Sequence, residues 1–175
     1  MEVWKMKEIE VKILEINEKE IVDQLLLLGA RKTFSGDVKA IYFDYPNKQL
    51  SNSSQLLRLR KRGDVAELTH KKKISKDEAK ICEEHEVIVA DFNQMKEVLL
   101  ALGFREFKQA EKKRISYELG EVHFEIDTYP DIPTFLEIEA PSVEELYNMM
   151  EKLGIQKEEA KPWGGKDLMQ HYGKN

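Results

Sequence analysis

The stretch Glu8-Ile9-Glu10-Val11-Lys12-Ile13 carries a charge at every even position and a branched aliphatic side chain at every odd one. Side chains alternate across a β-strand, so this period of two sends Glu8, Glu10 and Lys12 to one face and Ile9, Val11 and Ile13 to the other. One such strand is unremarkable, because any half-exposed strand shows charge outward and apolar groups inward. Here the pattern recurs. Arg58 and Arg60 oppose Leu57 and Leu59, Thr69 and Lys71 oppose Leu68, and Lys112 and Arg114 oppose Ile115. Asp127 opposes Phe124 and Ile126, and Glu137 and Glu139 oppose Leu136 and Ile138. Like charges side by side repel, and a face selected for solubility alone would mix its signs. Segregation of sign by strand points to a ligand.

Outward from this stretch, an E-x-E segment leads three times into an amphipathic helix closing on Leu-Gly. Glu8 and Glu10 precede residues 17–28 and Gly29, Glu84 and Glu86 precede 91–102 and Gly103, and Glu137 and Glu139 precede 142–153 and Gly154. Asn17, Asp91 and Ser142 suit the N-cap, and each Gly suits the left-handed position past a helix end. Alternation predicts further strands at 40–45, 56–62, 66–73, 112–119 and 121–129, separated by turn signals at Pro46-Asn47, Gly63-Asp64, Gly120 and 130–133. Residues 162–172 read as a short terminal helix. Eight or nine strands with three main helices and no long linker predict an antiparallel α+β domain spanning 1–175.

The chain's 175 residues suffice for one such core. Charged residues make up 35% of it, against about 25% in ordinary globular chains. With 28 Lys and Arg against 33 Asp and Glu, the net charge of -5 argues against a surface built to grip nucleic acid. Cys82 is the single cysteine, so no internal disulfide forms. The start of the chain lacks a signal-peptide apolar core, and the longest apolar run, 25–28, is too short to cross a bilayer. A cytoplasmic protein without a membrane partner is expected.

If the sheet curls into a barrel, the charged faces become an interior. Uncompensated charges there would cost many kcal/mol, so the cavity must hold ion pairs, water, metal and an anionic ligand. Phosphate chemistry needs both signs at once: Arg and Lys grip phosphoryl oxygens, and carboxylates hold Mg2+ or Mn2+. An oxygen-only donor set selects such hard cations over zinc.

These motifs resemble the CYTH, or triphosphate tunnel, family, which includes class IV adenylyl cyclases, thiamine triphosphatases and inorganic tripolyphosphatases. The resemblance runs over nearly the whole chain: E-x-E-x-K at Glu8, Glu10 and Lys12, L-R-x-R at Arg58 and Arg60, T-x-K at Thr69 and Lys71, and E-x-E at Glu84 and Glu86. It continues with K-x-R at Lys112 and Arg114, an aspartate at Asp127, and F-x-E-x-E at Phe135, Glu137 and Glu139. It implies a closed eight-stranded antiparallel barrel with helices outside. It further implies that Lys12, Arg58, Arg60, Lys71, Lys112 and Arg114 bind the triphosphate, and that Glu8, Glu10, Asp127, Glu137 and Glu139 surround Mg2+ or Mn2+. Glu8, Glu10 and Lys12 form the expected catalytic set. Glu84 and Glu86 are assigned a supporting role, either ordering cations by ion pairing or touching metal.

The reaction implied is hydrolysis of tripolyphosphate, thiamine triphosphate or a nucleoside triphosphate; the alternative is conversion of ATP to cyclic AMP and pyrophosphate. A third reading, non-enzymatic binding of polyphosphate, would not need the complete carboxylate set. Relatives lead one to expect a side-by-side homodimer, although nothing in the chain demands one. Two departures from the family pattern stand out. Ala40 replaces the aspartate that often precedes a Tyr-Phe pair, which bears on substrate choice, and the segment between Asp127 and Phe135 is rich in proline.

The remaining features read as structural. His70, His85, His123 and His171 share no metal-ligand spacing, and His70 and His85 fall opposite the tunnel charges. Cys82 lacks a catalytic constellation, and Gly164-Gly165-Lys166 reads as a turn because the rest of a phosphate loop is missing. In Lys71-Lys72-Lys73 alternation sends Lys71 and Lys73 one way and Lys72 the other. Trp4 and Trp163 are candidates for plugging a tunnel mouth or filling the core.

Overall fold

The computed structural model describes residues 6–174; Trp4 lies outside the described residues. Eight strands, β1 (Met6–Ile13), β2 (Arg31–Asp44), β3 (Gln55–Arg62), β4 (Val65–Lys76), β5 (Lys80–Val89), β6 (Arg105–Leu119), β7 (Val122–Thr128) and β8 (Phe135–Ala140), form a closed antiparallel barrel. Its strand order is β1-β5-β4-β3-β2-β6-β7-β8. The helices are α1 (Glu18–Leu27), α2 (Gln49–Asn52), α3 (Phe92–Ala101), α4 (Val143–Lys152) and α5 (Gly165–His171), with a 3-10 turn at Lys157–Glu159. The α+β barrel expected from the motifs is therefore the fold observed.

Each of the three repeated helices starts as its sequence dictates. The Asn17, Asp91 and Ser142 side chains accept from the backbone N–H of Glu20 (3.3 Å), Gln94 (2.8 Å) and Glu145 (3.1 Å). Gly29, Gly103 and Gly154 follow with φ of 85°, 94° and 69°, where any other residue would be strained.

Internal contacts divide the chain into two units. The unit holding Glu8–Ser35, Ile74–Ile81 and the chain from Lys113 buries Ile9, Val11 and Ile13 of β1 with Phe124, Ile126, Leu136 and Ile138. Ile21 and Leu25 of α1 and Leu146, Met149 and Met150 of α4 complete that core. In the unit holding Gly36–Lys73 and Cys82–Lys112, Leu99 of α3 packs with Ile41, Phe43, Leu57, Leu59, Ala66 and Val89. In both units the apolar parity of the strands lies in the core, which leaves the charged parity on the opposite face.

Three boundaries differ from expectation. β2 begins at Arg31 and β6 at Arg105, well before residues 40 and 112, because their first halves are exposed on both faces and show little alternation of burial. α2 was unforeseen at the Pro46-Asn47 turn signal. The buried Asp44 carboxylate organises it, accepting from the backbone N–H of Tyr45 (2.7 Å), Leu50 (2.9 Å) and Ser51 (2.9 Å) and from the Ser51 hydroxyl (2.5 Å). Burial alone would raise the Asp44 pKa, but these bonds hold it below the ordinary value. The terminal helix starts only at Gly165, so Gly165 and Lys166 are its first helical residues and not the expected turn: Gly164 is the N-cap of α5, and its N–H donates to Asp167 at 2.9 Å.

Candidate active site

In the first unit, the charged face of β1 is buried at Glu8, Glu10 and Lys12. The register with β8 sets Glu10 beside Glu139 and Lys12 beside Glu137. Lys12 Nζ donates to Glu10 Oε1 at 3.1 Å and to Glu137 Oε2. On the neighbouring pair, Arg114 faces Asp127 in register and binds it through two parallel bonds, Nε to Oδ1 and Nη2 to Oδ2, each 2.7 Å. The same guanidinium reaches Glu137 Oε1 at 3.7 Å and Glu125 Oε2 at 3.5 Å. At the other end of the series, Lys80 Nζ donates to Glu10 Oε1 at 2.8 Å.

The result is a continuous series of alternating sign: Lys80, Glu10, Lys12, Glu137, Arg114, Asp127. Burial pushes the Lys12 ammonium toward neutrality, but Glu10 and Glu137 outweigh it and hold the pKa well above the ordinary lysine value. Burial likewise opposes the charge of Arg114, and Asp127, Glu125 and Glu137 more than restore it.

Six carboxylates, Glu8, Glu10, Glu125, Asp127, Glu137 and Glu139, stand against three cations, Lys12, Lys80 and Arg114. Among these named side chains carboxylates outnumber cations, and the setting is largely buried. All the donors are oxygens, which suits Mg2+ or Mn2+ in chemistry. Among the described residues no group of three His, Cys, Asp or Glu converges as a preformed metal cage. The carboxylates instead turn toward the chain's own cations.

The second unit has the opposite balance. Arg58, Arg60 and Arg62 share one parity of β3, and the β3–β4 register sets Arg58 beside Thr69 and Arg60 beside Glu67. Glu67 is buried and accepts from Arg60 Nε (2.8 Å) and from Arg62 Nη2 (3.1 Å). Burial would raise its pKa, yet the adjoining guanidiniums of Arg60, Arg62 and Arg58 hold it below the ordinary carboxylate value. Glu86 accepts from the Thr69 hydroxyl at 2.7 Å and lies 3.3 Å from Arg60 and 3.8 Å from Arg58. Glu84 pairs with Lys71 at 2.8 Å, and Lys112 on β6 is half-buried. Arg58, Arg60, Arg62, Lys71 and Lys112 stand here beside Glu67, Glu84 and Glu86, a predominantly cationic set whose chemistry suits an oligophosphate.

Five further residues contact these clusters without standing in any of the sequence motifs: Arg62, Glu67, Lys80, Ser116 and Glu125. Parity could have found most of them, because Arg62 lies two residues past Arg60, Glu67 two before Thr69 and Glu125 two before Asp127. Ser116, whose hydroxyl donates to Glu125, carried no charge to draw notice. Lys80 opens β5, where no strand start was legible. His70 bonds Gln55 at 2.8 Å and its ring lies 6.1 Å from that of His85, Lys73 is exposed, and the Trp163 ring lies tilted 5.0 Å from that of His171. No helix among the described residues is long and apolar enough to cross a membrane.

A CYTH domain profile matches residues 6–162. The chain belongs to the CYTH family. A protein of Methanocaldococcus jannaschii named "Putative adenylate cyclase" is 29% identical over 166 residues, covering 87% of this CYTH chain and 93% of its own. A solved structure from Pyrococcus horikoshii aligns with a TM-score of 0.77 and 27% identity over 92% of this chain and 98% of that one. A protein from Hippeastrum named "Putative adenylyl cyclase" and described as having a dominant triphosphatase activity shares the fold at a TM-score of 0.68 and 17% identity, covering 96% of this chain and 97% of that one. CYTH proteins act on triphosphates and generally use divalent metal.

Proposed function

We propose that this CYTH protein is a metal-dependent hydrolase of a triphosphate, with tripolyphosphate, thiamine triphosphate and nucleoside triphosphates as the candidate substrates. The observation that carries this reading is the division of charge between the two clusters: Glu8, Glu10, Glu125, Asp127, Glu137 and Glu139 make one mainly acidic, and Arg58, Arg60, Arg62, Lys71 and Lys112 make the other mainly basic. Glu8, Glu10, Glu137 and Glu139 would hold Mg2+ or Mn2+, and Asp127 would join them by releasing part of its bidentate grip on Arg114. The metal supplies charge neutralisation at the phosphoryl oxygens when bound. Arg58, Arg60, Lys71 and Lys112 bind and orient the phosphate chain, and Lys12 and Arg114 offset the charge that develops during transfer. Glu67, Glu84 and Glu86 fix the cationic side chains in place, which reduces the entropy lost when substrate binds.

The second reading is the adenylyl cyclase, and the name of the Methanocaldococcus jannaschii relative favours it. Both reactions draw on the same charges and differ in what attacks: water, or the 3'-hydroxyl of ATP. Phosphorus NMR of the protein with tripolyphosphate, thiamine triphosphate and ATP, each with Mg2+, Mn2+ or chelator, separates them. Metal-dependent orthophosphate supports the hydrolase, whereas cyclic AMP with pyrophosphate supports the cyclase. Binding of tripolyphosphate without turnover of any substrate would refute both and leave a polyphosphate receptor. The cytoplasmic location and the homodimer stay part of this reading, checked by fractionation and by sedimentation.

A further inference from the structure

Glu10 Oε1 accepts from two ammonium groups, Lys12 at 3.1 Å and Lys80 at 2.8 Å. The two lysines are held differently. Lys12 lies towards the end of β1 between Val11 and Ile13, both in the core, and its side chain is only 5% exposed. Lys80 is the first residue of β5, directly after the bend at 77–79, and its side chain is 16% exposed. Turning the Lys80 ammonium toward water therefore disturbs less of the structure than moving Lys12. The Glu10 carboxylate itself is almost wholly buried, so some cation must stay beside it whenever the protein is folded.

We propose that Lys80 is the chain's own occupant of the Glu10 site in the metal-free state, and that a divalent cation binds by displacing it. This rests on the metal reading given above and adds a competitor to it. Three consequences follow from the geometry. The barrel folds without metal, because Lys80 satisfies Glu10. Metal affinity is set in part by the cost of breaking the Lys80–Glu10 pair. A divalent ion brings one more positive charge than the ammonium it displaces, so the Glu10 carboxylate keeps a cation beside it throughout the exchange.

The test uses Mn2+ alone, with no phosphate present, and follows free Mn2+ by electron paramagnetic resonance. The proteins are the wild type, Lys80→Met, Lys80→Gln, Lys80→Arg and Glu10→Gln. Met keeps the aliphatic stem, Gln keeps a donor without charge, and Arg keeps the charge. The expected result is about tenfold tighter Mn2+ binding by the Met and Gln variants, the scale of one lost charge-assisted hydrogen bond, with the Arg variant near wild type. Thermal melts should show Mn2+ raising Tm more in Lys80→Met than in wild type, because metal then replaces a missing cation. Equal Mn2+ affinity in wild type and both neutral variants, with weakening only in Glu10→Gln, overturns the Lys80 proposal and leaves the metal reading standing. No Mn2+ binding by any of the five overturns both.

Discussion

Arg114 and Asp127 face each other across the β6–β7 pairing and share two parallel hydrogen bonds of 2.7 Å, with the aspartate fully buried. The pair fixes the guanidinium plane, and the remaining reach of that guanidinium is toward Glu125 and Glu137. Arg114 thus ties together three carboxylates on two neighbouring strands.

Removing one member of this pair leaves a buried charge without its partner. Asp127→Asn is expected to cost about 3–5 kcal/mol of unfolding free energy, measured by urea denaturation at neutral pH. Arg114→Lys should also be costly, since an ammonium cannot reproduce the bidentate fork. A double replacement, Arg114→Met with Asp127→Leu, should cost clearly less than the sum of the single removals Arg114→Met and Asp127→Leu. Strict additivity would show that the pair is not energetically coupled.

The depressed carboxyl of Glu67 predicts a pH dependence with a defined sign. Its folded pKa lies below the ordinary 4.5, so its contribution is complete above that value and is lost as pH falls through the folded one. Wild-type stability should therefore fall on acidification below about pH 4.5, and Glu67→Gln should flatten that limb while lowering the neutral plateau. Lys12 works on the opposite side: its pKa is raised above 10.5, so its contribution persists below that value and fails only at higher pH. Melts between pH 3 and 7 check the first statement; an unchanged acid limb in Glu67→Gln would contradict it.

Much of this architecture was legible because local and tertiary preferences agree. Asn17, Asp91 and Ser142 are good caps by residue type and are caps in the structure, and the parity of Glu8, Glu10 and Lys12 is the parity of burial. Where the two part, the sequence pattern carries less. The first halves of β2 and β6 bury little on either face, so periodicity had nothing to register. Asp44 organises α2 through a carboxylate that, in sequence, is one more charge at a strand end. In the charged clusters Glu67, Glu125 and Lys80 belong to no motif, and they compensate residues that do. Which cation answers which carboxylate depends on register and strand order, and both are set by closure of the sheet.

The caps can be tested singly. Ser142→Ala removes the acceptor for the Glu145 N–H at the start of α4, whose Leu146, Met149 and Met150 belong to the core. The expected loss is about 1 kcal/mol, seen as a shift of the urea midpoint with an unchanged slope. Ser142→Asp should retain most of the stability, because it restores an acceptor and places negative charge at the helix N-terminus.

Glu10→Gln separates chemistry from binding. The substitution keeps the size of the side chain and removes one buried negative charge from the cluster containing Lys12 and Lys80. If Glu10 helps hold the metal, turnover of the preferred triphosphate with Mg2+ should fall by about 100-fold or more, the scale of losing one charge-stabilising element at a reacting centre. Tripolyphosphate affinity measured by calorimetry in chelator should be retained, because Arg58, Arg60 and Lys71 are untouched and repulsion within the acidic cluster has decreased. Comparison of the two readouts excludes simple misfolding, which would abolish binding and turnover together. Turnover equal to wild type would remove Glu10 from the catalytic set and, with it, the strongest reason for placing the metal against β1.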